Sequence, residues 1–271
     1  MLIGAMNHPA QDPLEQIEWI ASLGFGFVDL TLEPPMAASW RVDPARLRAT
    51  IERHRLAVVG HTAYYLPLAS GIEEIRSAAV VELRRCVDVF AAVGVRYMNL
   101  HPDRHAPMHD RRFFIARNLD TLREIQPYAA SRGIGLMLEN LPGDFNSVAQ
   151  LAELLDPMPE VGLHLDIGHA NLMVVQSSMG ELLDAYGTRL RHVHLHDNKG
   201  GGADLHLPLG TGSVDLRGAV RLLQEHGYDG TITLEVFTPD AHHLTYSRDL
   251  LERVWREVMQ ERSGEALLRV P

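Results

Sequence analysis

The chain contains 271 residues, of which 46% are hydrophobic and 22% are charged. These proportions are ordinary for a folded globular protein and exclude a wholly disordered or collagen-like chain. The 25 basic and 35 acidic side chains give a formal net charge of −10 with neutral histidines, so the chain offers no broad electrostatic attraction to nucleic acid.

Short apolar runs alternate with longer amphipathic stretches along the whole chain. The apolar runs predict eight strands, over 2–6, 25–32, 56–61, 95–101, 134–139, 161–166, 192–196 and 231–236. The amphipathic stretches predict eight helices, over 12–23, 43–54, 71–93, 110–131, 144–155, 171–187, 214–226 and 242–260. Asp43 followed by Pro44 indicates a helix start, and Gly94 and Gly133 each follow a predicted helix end.

Eight strand-then-helix units within about 250 residues, with no linker between them, predict an α/β fold of the (β/α)₈ TIM-barrel type. A doubly wound open sheet is the main alternative. The sequence Met6-Asn7-His8-Pro9 follows the first predicted strand, however, where that fold would carry a glycine-rich phosphate turn. We expect a single barrel domain over 1–261 and a loosely ordered C-terminal tail over 262–271.

The cysteine count and the first residues bear on where the protein works. The single cysteine, Cys86, excludes an internal disulfide framework and a cysteine-based zinc site. The start, MLIGAMNHPA, lacks the basic and apolar segments of a targeting peptide, and no window approaches the roughly 18 apolar residues of a membrane span. We therefore expect a cytoplasmic protein without a membrane partner.

A histidine, aspartate or glutamate stands at the end of six consecutive predicted strands. These residues are His61, His101, Glu139, Asp166, His194 and Glu235. The carboxyl ends of the strands form the rim at which barrel enzymes place their active sites, so these side chains would converge. Imidazole and carboxylate groups are good ligands for Zn²⁺ or Mn²⁺, and burying an unpaired carboxylate is costly. The sequence therefore predicts a metal site at this rim.

Two short motifs extend this candidate site. Asp166 and His169 form D-x-x-H, which places His169 one turn beyond the sixth strand. Asp204 and His206 form D-x-H in a loop, a spacing that suits a second or third metal and equally suits an Asx turn that caps the loop. On the seventh strand, His192, His194 and His196 share one face by period-two alternation, so spacing alone does not choose among them.

Two cations are candidates for contacting substrate oxygens at the barrel mouth. Lys199, the single lysine of the chain, precedes three consecutive glycines, and Arg104 follows His101 by three residues. Each is equally consistent with a solvated loop residue. The aromatic residues Trp40, Tyr64 and Tyr65 follow strands two and three and could wall a pocket or simply pack.

The motifs HTAYYLPL, NLHPDRH, MLEN, LDIGHA, HLHDN and DLHLPLGTG, in this order, resemble the xylose isomerase-like barrels, also called AP endonuclease family 2. The resemblance covers nearly the whole chain. Endonuclease IV-like members hold three zinc ions, and the resemblance implies the ligands His61, His101, Glu139, Asp166, His169, His194, Asp204, His206 and Glu235. Epimerase-like members hold a single Mn²⁺, Mg²⁺ or similar ion, and the resemblance then implies the ligands Glu139, Asp166, His194 and Glu235.

The resemblance implies a metal-dependent sugar or sugar-phosphate isomerase or epimerase that works through an enediolate. Glu139 and Glu235 would transfer protons, and His169 would contact substrate or a further metal. One to three divalent ions are expected, Zn²⁺ or Mn²⁺, with Mg²⁺ as a further candidate. The expected partner is a small sugar or sugar phosphate rather than nucleic acid, and a homo-oligomer is left open.

Two other functions remain as alternatives. An AP-site endonuclease, or another multinuclear-metal phosphoesterase, is the second hypothesis. The stretch VDLTLEPPMAASW, with the acidic Glu33, differs from the polar, arginine-bearing loop of endonuclease IV-like proteins and favours the isomerase branch. A barrel that has lost catalysis and only binds a ligand is the third hypothesis.

Overall fold

Eight parallel strands close into a barrel in sequence order, and β1 pairs with both β2 and β8. The computed structural model describes residues 1–104 and 108–268, with the side chains of 265–268 excepted. The strands are β1 (Leu2–Met6), β2 (Phe27–Leu32), β3 (Ala57–Thr62), β4 (Tyr97–Leu100), β5 (Gly135–Glu139), β6 (Gly162–Asp166), β7 (Leu190–Leu195) and β8 (Thr231–Leu234). The predicted (β/α)₈ fold is confirmed.

Helices follow the strands and form the outer layer of the barrel. They are α1 (Pro13–Ser22), α2 (Pro44–His54), α3 (Glu73–Val93), α4 (Arg111–Ser131), α5 (Val148–Leu155), α6 (Ile167–Ala170), α7 (Met179–Tyr186), α8 (Leu216–Glu225) and α9 (Ala241–Leu268). Asp43 caps α2 as predicted, because its side chain accepts hydrogen bonds from the backbone N–H groups of Ala45 and Arg46. No helix in the described part of the chain combines the length and apolar character that crossing a membrane requires.

The predicted helix over 171–187 is wrong in its bounds. The short helix α6 begins directly after β6, because the Asp166 side chain accepts a hydrogen bond from the backbone N–H of His169. A loop then leads to α7, and a 3₁₀ turn over Gly187–Arg189 follows that helix. The aspartate that ends the strand therefore also starts a helix within the same few residues.

Several other predicted bounds also shift. Helix α5 begins at Val148 rather than near 144, because Ser147 and Gln150 form a capping box there. Strand β7 begins at Leu190 and leaves His196 just beyond its end. Helix α9 continues to Leu268 instead of ending near 260. The division into a barrel over 1–261 and a tail over 262–271 stays a prediction, and residues 269–271 and His105 of the NLHPDRH motif lie outside the described residues.

Two apolar cores support the barrel. The larger one lies between strands and helices and includes Ile17, Leu30 and Phe90. A smaller one is formed by Phe27, Val59 and Met137 inside the barrel. Phe27 is the first residue of β2, so this inner core lies toward the amino ends of the strands and leaves their carboxyl ends free for polar residues.

Candidate metal centre at the carboxyl rim

The six residues predicted at the strand ends are all buried, and none exposes more than 8% of its surface. His61, Glu139, Asp166 and His194 lie within the last two residues of their strands, and His101 and Glu235 directly follow theirs. Among the residues that the structure describes, potential ligand atoms lie within 4.8 Å of one another in five groups. The groups are His61–His101–Glu139, Glu139–Asp166–His169, Asp166–His196–Glu235, His169–His196–Asp204–His206 and His164–His192–His194.

Glu139 belongs to two of these groups and links them. Its Oε2 accepts a hydrogen bond from Asn99 Nδ2 at 2.7 Å and lies 2.9 Å from His101 Nε2. Its Oε1 lies 3.3 Å from His169 Nδ1. Burial alone would raise the pKa of Glu139, but the charges of His164 and His101 and the hydrogen bonds from His101 and His169 lower it well below its usual value. Glu139 is therefore an anionic centre between two sets of imidazoles.

Asp166 joins the two glutamates, because it shares one group with Glu139 and another with Glu235. The Asn140 side chain fixes its backbone, accepting from Asp166 N at 2.7 Å and donating to Asp166 O at 3.0 Å. Burial would raise the pKa of the Asp166 carboxyl, yet the charges of His169 and His196 lower it far below the ordinary range. A second buried anion thus lies at the middle of the rim.

The D-x-H motif contributes to the same rim. Asp204 Oδ2 lies 3.0 Å from His169 Nε2 and 3.1 Å from His206 Nε2. Burial would raise the pKa of Asp204, but hydrogen bonds from the same two imidazoles lower it far below its usual value. His206 adopts a left-handed backbone conformation with φ of 45°, which is uncommon for a residue with a side chain. Both interpretations that the spacing left open, a further metal ligand pair and an Asx turn, stay predictions.

The three histidines around β7 have different surroundings. His194 Nε2 lies 2.8 Å from Asp29 Oδ2, and its Nδ1 lies 3.2 Å from Glu235 Oε2. His192 lies deeper, where its two ring nitrogens contact the hydroxyl groups of Thr231 and Thr233. Burial would lower the pKa of His194, but the charge of Glu235 and the hydrogen bonds with Asp29 and Glu235 raise it well above its usual value.

His196 turns away from this pair. Its Nε2 lies 3.4 Å from Asp166 Oδ1 and 3.5 Å from Asp204 Oδ1, so it faces the group that contains the D-x-H motif. Sequence reasoning left His196 unassigned, and it did not single out Asp29 or His164. The available signal for Asp29 was a lone carboxylate within the otherwise apolar strand FVDLTL.

The two candidate cations lie apart from these groups. Lys199 is exposed. Arg104 forms an ion pair with Asp144, and its guanidinium lies 5.8 Å from the centre of the Phe114 ring. Neither cation is among the described residues that line the large cavity above the rim. Their predicted contacts with substrate stay predictions.

A cavity of about 1480 Å³ opens above the rim. Its polar side presents imidazoles and carboxylates, among them Glu33, His61, His101, Glu139, His169, Asp204, His206 and Glu235. Its lining also includes apolar residues of β1, of α1 and α9 and of the segments after β1 and β8, among them Met6, Pro9, Trp19, Phe237 and Leu244. Tyr64 lines this cavity, whereas Trp40 does not and exposes 63% of its surface.

Several buried atoms at the rim lack a hydrogen-bond partner among the described residues. They are both ring nitrogens of His61, Nδ1 of His101, Oδ2 of Asp166 and Nε2 of His196. Buried polar atoms are nearly always paired, so such a concentration needs an explanation. Burial lowers the pKa of His61 to about 4, which keeps its imidazole neutral and able to offer a lone pair. Imidazole nitrogens beside ionised carboxylates form a donor set that fits a divalent transition-metal ion.

Comparison with known proteins identifies a matching family model and several related proteins. The family model described as "Xylose isomerase-like TIM barrel" matches residues 17–259. L-ribulose 3-epimerase from Methylomonas sp. (strain DH-1) is 26% identical over 98% of this chain and 93% of its own length. Probable endonuclease 4 from Aquifex aeolicus (strain VF5) is 26% identical over 90% of this chain and 93% of its own length.

Among solved structures, a D-tagatose 3-epimerase-like protein matches this chain with a TM-score of 0.85 and 24% sequence identity. The match covers 96% of this chain and 99% of the other. At this level of identity, the structural similarity bears on the fold and leaves the chemistry to the residues at the rim.

Proposed function

Because this chain belongs to the xylose isomerase-like TIM barrel family, we propose that it is a metal-dependent sugar epimerase or isomerase. The observation that carries the proposal is the placement of Glu139 and Glu235. Both carboxylates reach the cavity, and Asp166 lies within 4.8 Å of ligand atoms of each, in two separate groups. The similarity to L-ribulose 3-epimerase supports a sugar as the substrate.

The primary ion would be held by Glu139, Asp166, His194 and Glu235. The remaining candidate ligands His61, His101, His169, Asp204 and His206 could hold one or two further ions, which leaves the expected range of one to three per chain. Mixed carboxylate and imidazole ligands suit Mn²⁺ or Zn²⁺, and Mg²⁺ less well. When bound, such an ion polarises the carbonyl and hydroxyl oxygens of a sugar and so makes the adjacent C–H more acidic.

The two glutamates would carry the proton transfers. An epimerase removes a proton from one face of the carbon next to the carbonyl and returns a proton to the other face, so it needs a carboxylate on each side. Glu139 ends β5 and Glu235 follows β8, and these strands are three apart around the ring. Asn99 and His101 hold the Glu139 carboxylate in place, and Glu235 Oε2 lies 3.2 Å from His194 Nδ1.

The cavity favours a sugar without a phosphate. Of the described residues that line it, none is lysine or arginine, whereas Glu15, Glu33, Glu139, Asp204 and Glu235 all contribute carboxylates. Phosphate recognition in proteins commonly uses arginine or lysine side chains. Burial raises the pKa of Glu33, whose carboxyl is hydrogen-bonded to Tyr65, so this residue suits contact with sugar hydroxyl groups better than with an anion.

Solvent hydrogen exchange tests the proposal. L-ribulose incubated in ²H₂O with the metal-loaded protein should gain deuterium at C3, as followed by NMR. Replacement of Glu235 or Glu139 by Gln should slow this exchange by about 10²–10⁴-fold, the usual contribution of general acid–base catalysis. Glu225→Gln, at the exposed end of α8, is the matched control and should leave the rate unchanged. Exchange that persists at the wild-type rate in both rim variants would remove the glutamates from their assigned roles.

An AP-site endonuclease remains the second candidate. The number of ligand groups at the rim and the similarity to probable endonuclease 4 favour it. The carboxylate-rich cavity without described basic residues argues against it, since binding to a phosphate backbone depends on lysine and arginine contacts. Cleavage of a duplex with one abasic site, measured over a range of salt concentrations, decides between them. We expect no cleavage, and salt-dependent cleavage by the metal-loaded protein would favour the endonuclease.

A further inference from the structure

Asp29 is completely buried below the rim. It is the third residue of β2, and it is not among the residues that line the cavity, although Thr31, two residues further along the same face, does line it. Asp29 therefore has no route to a substrate. Any effect of this carboxylate on the site must act through the side chains it contacts.

Three side chains from β7 and β8 converge on a single oxygen of Asp29. Its Oδ2 lies 2.8 Å from His194 Nε2, accepts a hydrogen bond from Thr233 Oγ1 at 2.8 Å, and lies 3.3 Å from His192 Nε2. His192 is itself held at both ring nitrogens by Thr231 and Thr233. The carboxylate is thus fixed by residues of β7 and β8, and it cannot move without breaking several hydrogen bonds.

We propose that Asp29 is a positioning residue of the metal centre. It holds His194 with Nε2 toward the barrel interior and Nδ1 toward the rim. A carboxylate oxygen accepts hydrogen bonds, so the nitrogen that faces Asp29 carries a hydrogen, and Nδ1 is the nitrogen that offers a lone pair when an ion is bound. In metal sites, a histidine ligand commonly donates its second ring N–H to such a carboxylate, which fixes the ring orientation and tautomer.

The surroundings of Nδ1 support this assignment. It lies 3.2 Å from Glu235 Oε2, and a lone pair facing a carboxylate at this distance requires a proton or a cation between the two atoms. The rings of His194 and His164 also pack edge to face at 81°, with ring centres 4.1 Å apart. The His194 ring is therefore held both by this ring contact and at its inner nitrogen. The inference rests on the proposed metal site and extends it to a residue that touches neither ion nor substrate.

Metal affinity provides the first test. Asp29→Asn keeps the shape of the side chain but removes its charge, and it should weaken Zn²⁺ binding by about 10–100-fold in a chelator competition assay. Asp184→Asn is the matched control, because Asp184 lies on the outer helix α7 and forms an exposed Asp–His pair with His226 at 3.1 Å. We expect the control to bind Zn²⁺ as the wild type does.

Histidine NMR provides a second test that requires no Asp29 variant to fold. In long-range ¹H–¹⁵N spectra of the Zn²⁺-loaded wild type, with His194 assigned by its loss in His194→Gln, Nε2 should carry the hydrogen and Nδ1 should not. An Nδ1–H tautomer, or an unchanged Zn²⁺ affinity in a folded Asp29→Asn protein, would overturn the inference. If the wild type itself binds no ion, the proposed function fails instead, so the two failures are distinguishable.

Discussion

The barrel interior is apolar at the amino ends of the strands and polar at their carboxyl ends. At the amino ends, Phe27, Val59 and Met137 pack together. At the other end, imidazoles and carboxylates crowd together, and several of their buried atoms, such as both ring nitrogens of His61, have no described hydrogen-bond partner. The same strands therefore supply packing at one end and chemistry at the other.

Strand β2 shows the transition within five residues. Phe27, Asp29 and Thr31 lie on one face of it and belong to the inner core, to the layer that positions His194, and to the cavity wall respectively. A Cβ on Gly4 would lie 2.5 Å from the Phe27 ring, so the neighbouring strand accommodates this ring with a glycine. Stability and function are therefore separated along the barrel axis, and variants at each level can test this separation.

The largest expected effect on stability comes from the amino end. Phe27→Ala should lower the free energy of unfolding by about 3–5 kcal/mol, because it removes a fully buried ring and leaves a cavity. Urea unfolding with and without Zn²⁺ measures this loss together with metal affinity. Tyr246→Ala, which removes an exposed aromatic ring, is the control and should change stability by less than about 0.5 kcal/mol.

The separation predicts that folded Phe27→Ala protein keeps its Zn²⁺ affinity within a few-fold of the wild type. A loss of affinity as large as that expected for Asp29→Asn would show instead that the two ends of the barrel interior are coupled.

A somewhat smaller effect should appear in the pH dependence of the metal-free protein. The pKa of His61 is about 4 in the folded state against 6.5 for the unperturbed group, so the unfolded chain takes up this proton first as the pH falls. The stabilisation from neutral His61 is present above pH 6.5 and is lost between pH 6.5 and 4. Between pH 7 and pH 4.5 it should amount to about 2 kcal/mol, since each pKa unit corresponds to about 1.4 kcal/mol.

Comparison with His61→Asn isolates this contribution. Urea unfolding in the presence of a chelator should show a steeper loss of stability on acidification for the wild type than for the variant. Equal pH dependence in the two proteins would mean that the burial of His61 does not govern its protonation.

The smallest effect is expected at Lys199, which lies on an exposed loop outside the cavity wall. Lys199→Ala should raise KM for the sugar by about two- to fivefold with kcat unchanged, the range expected for one exposed charge. Lys199→Arg, which retains the charge, should behave as the wild type. A fall in kcat of tenfold or more would place this lysine in the catalytic machinery and show that the functional site extends beyond the cavity wall.

The closed barrel could be predicted from sequence because its information is local. Alternating apolar runs and helix signals predicted eight strand–helix units. Glu139 and Asp166 end the runs of β5 and β6, so the same pattern predicted carboxylates at the rim. The resemblance of motifs added His194 as the expected ligand on β7. Period two alone could not separate this residue from His192 and His196, since all three share a face.

What distinguishes these histidines is contact with carboxylates of other segments, which is absent from the local pattern of β7. Asp29 on β2 faces His194 and His192, whereas Asp166 and Asp204 face His196. The short helix α6 was missed for a related reason, because Asp166 both ends β6 and caps the next turn. Such pairings depend on the closure of the barrel and on side-chain direction, which a pattern of single residues does not encode.

Metal content and metal-dependent activity, measured together, test whether the rim binds a divalent ion that epimerisation requires. The chain, stripped with a chelator and reloaded with Zn²⁺ or Mn²⁺, should retain one to three ions per molecule by elemental analysis, and Glu139→Gln, which removes the carboxylate shared by two groups, should retain fewer. Epimerisation of L-ribulose should disappear on chelation and return on reloading. A wild-type chain that retains no ion and epimerises the sugar equally well after chelation would rule out a metal-dependent centre at the rim.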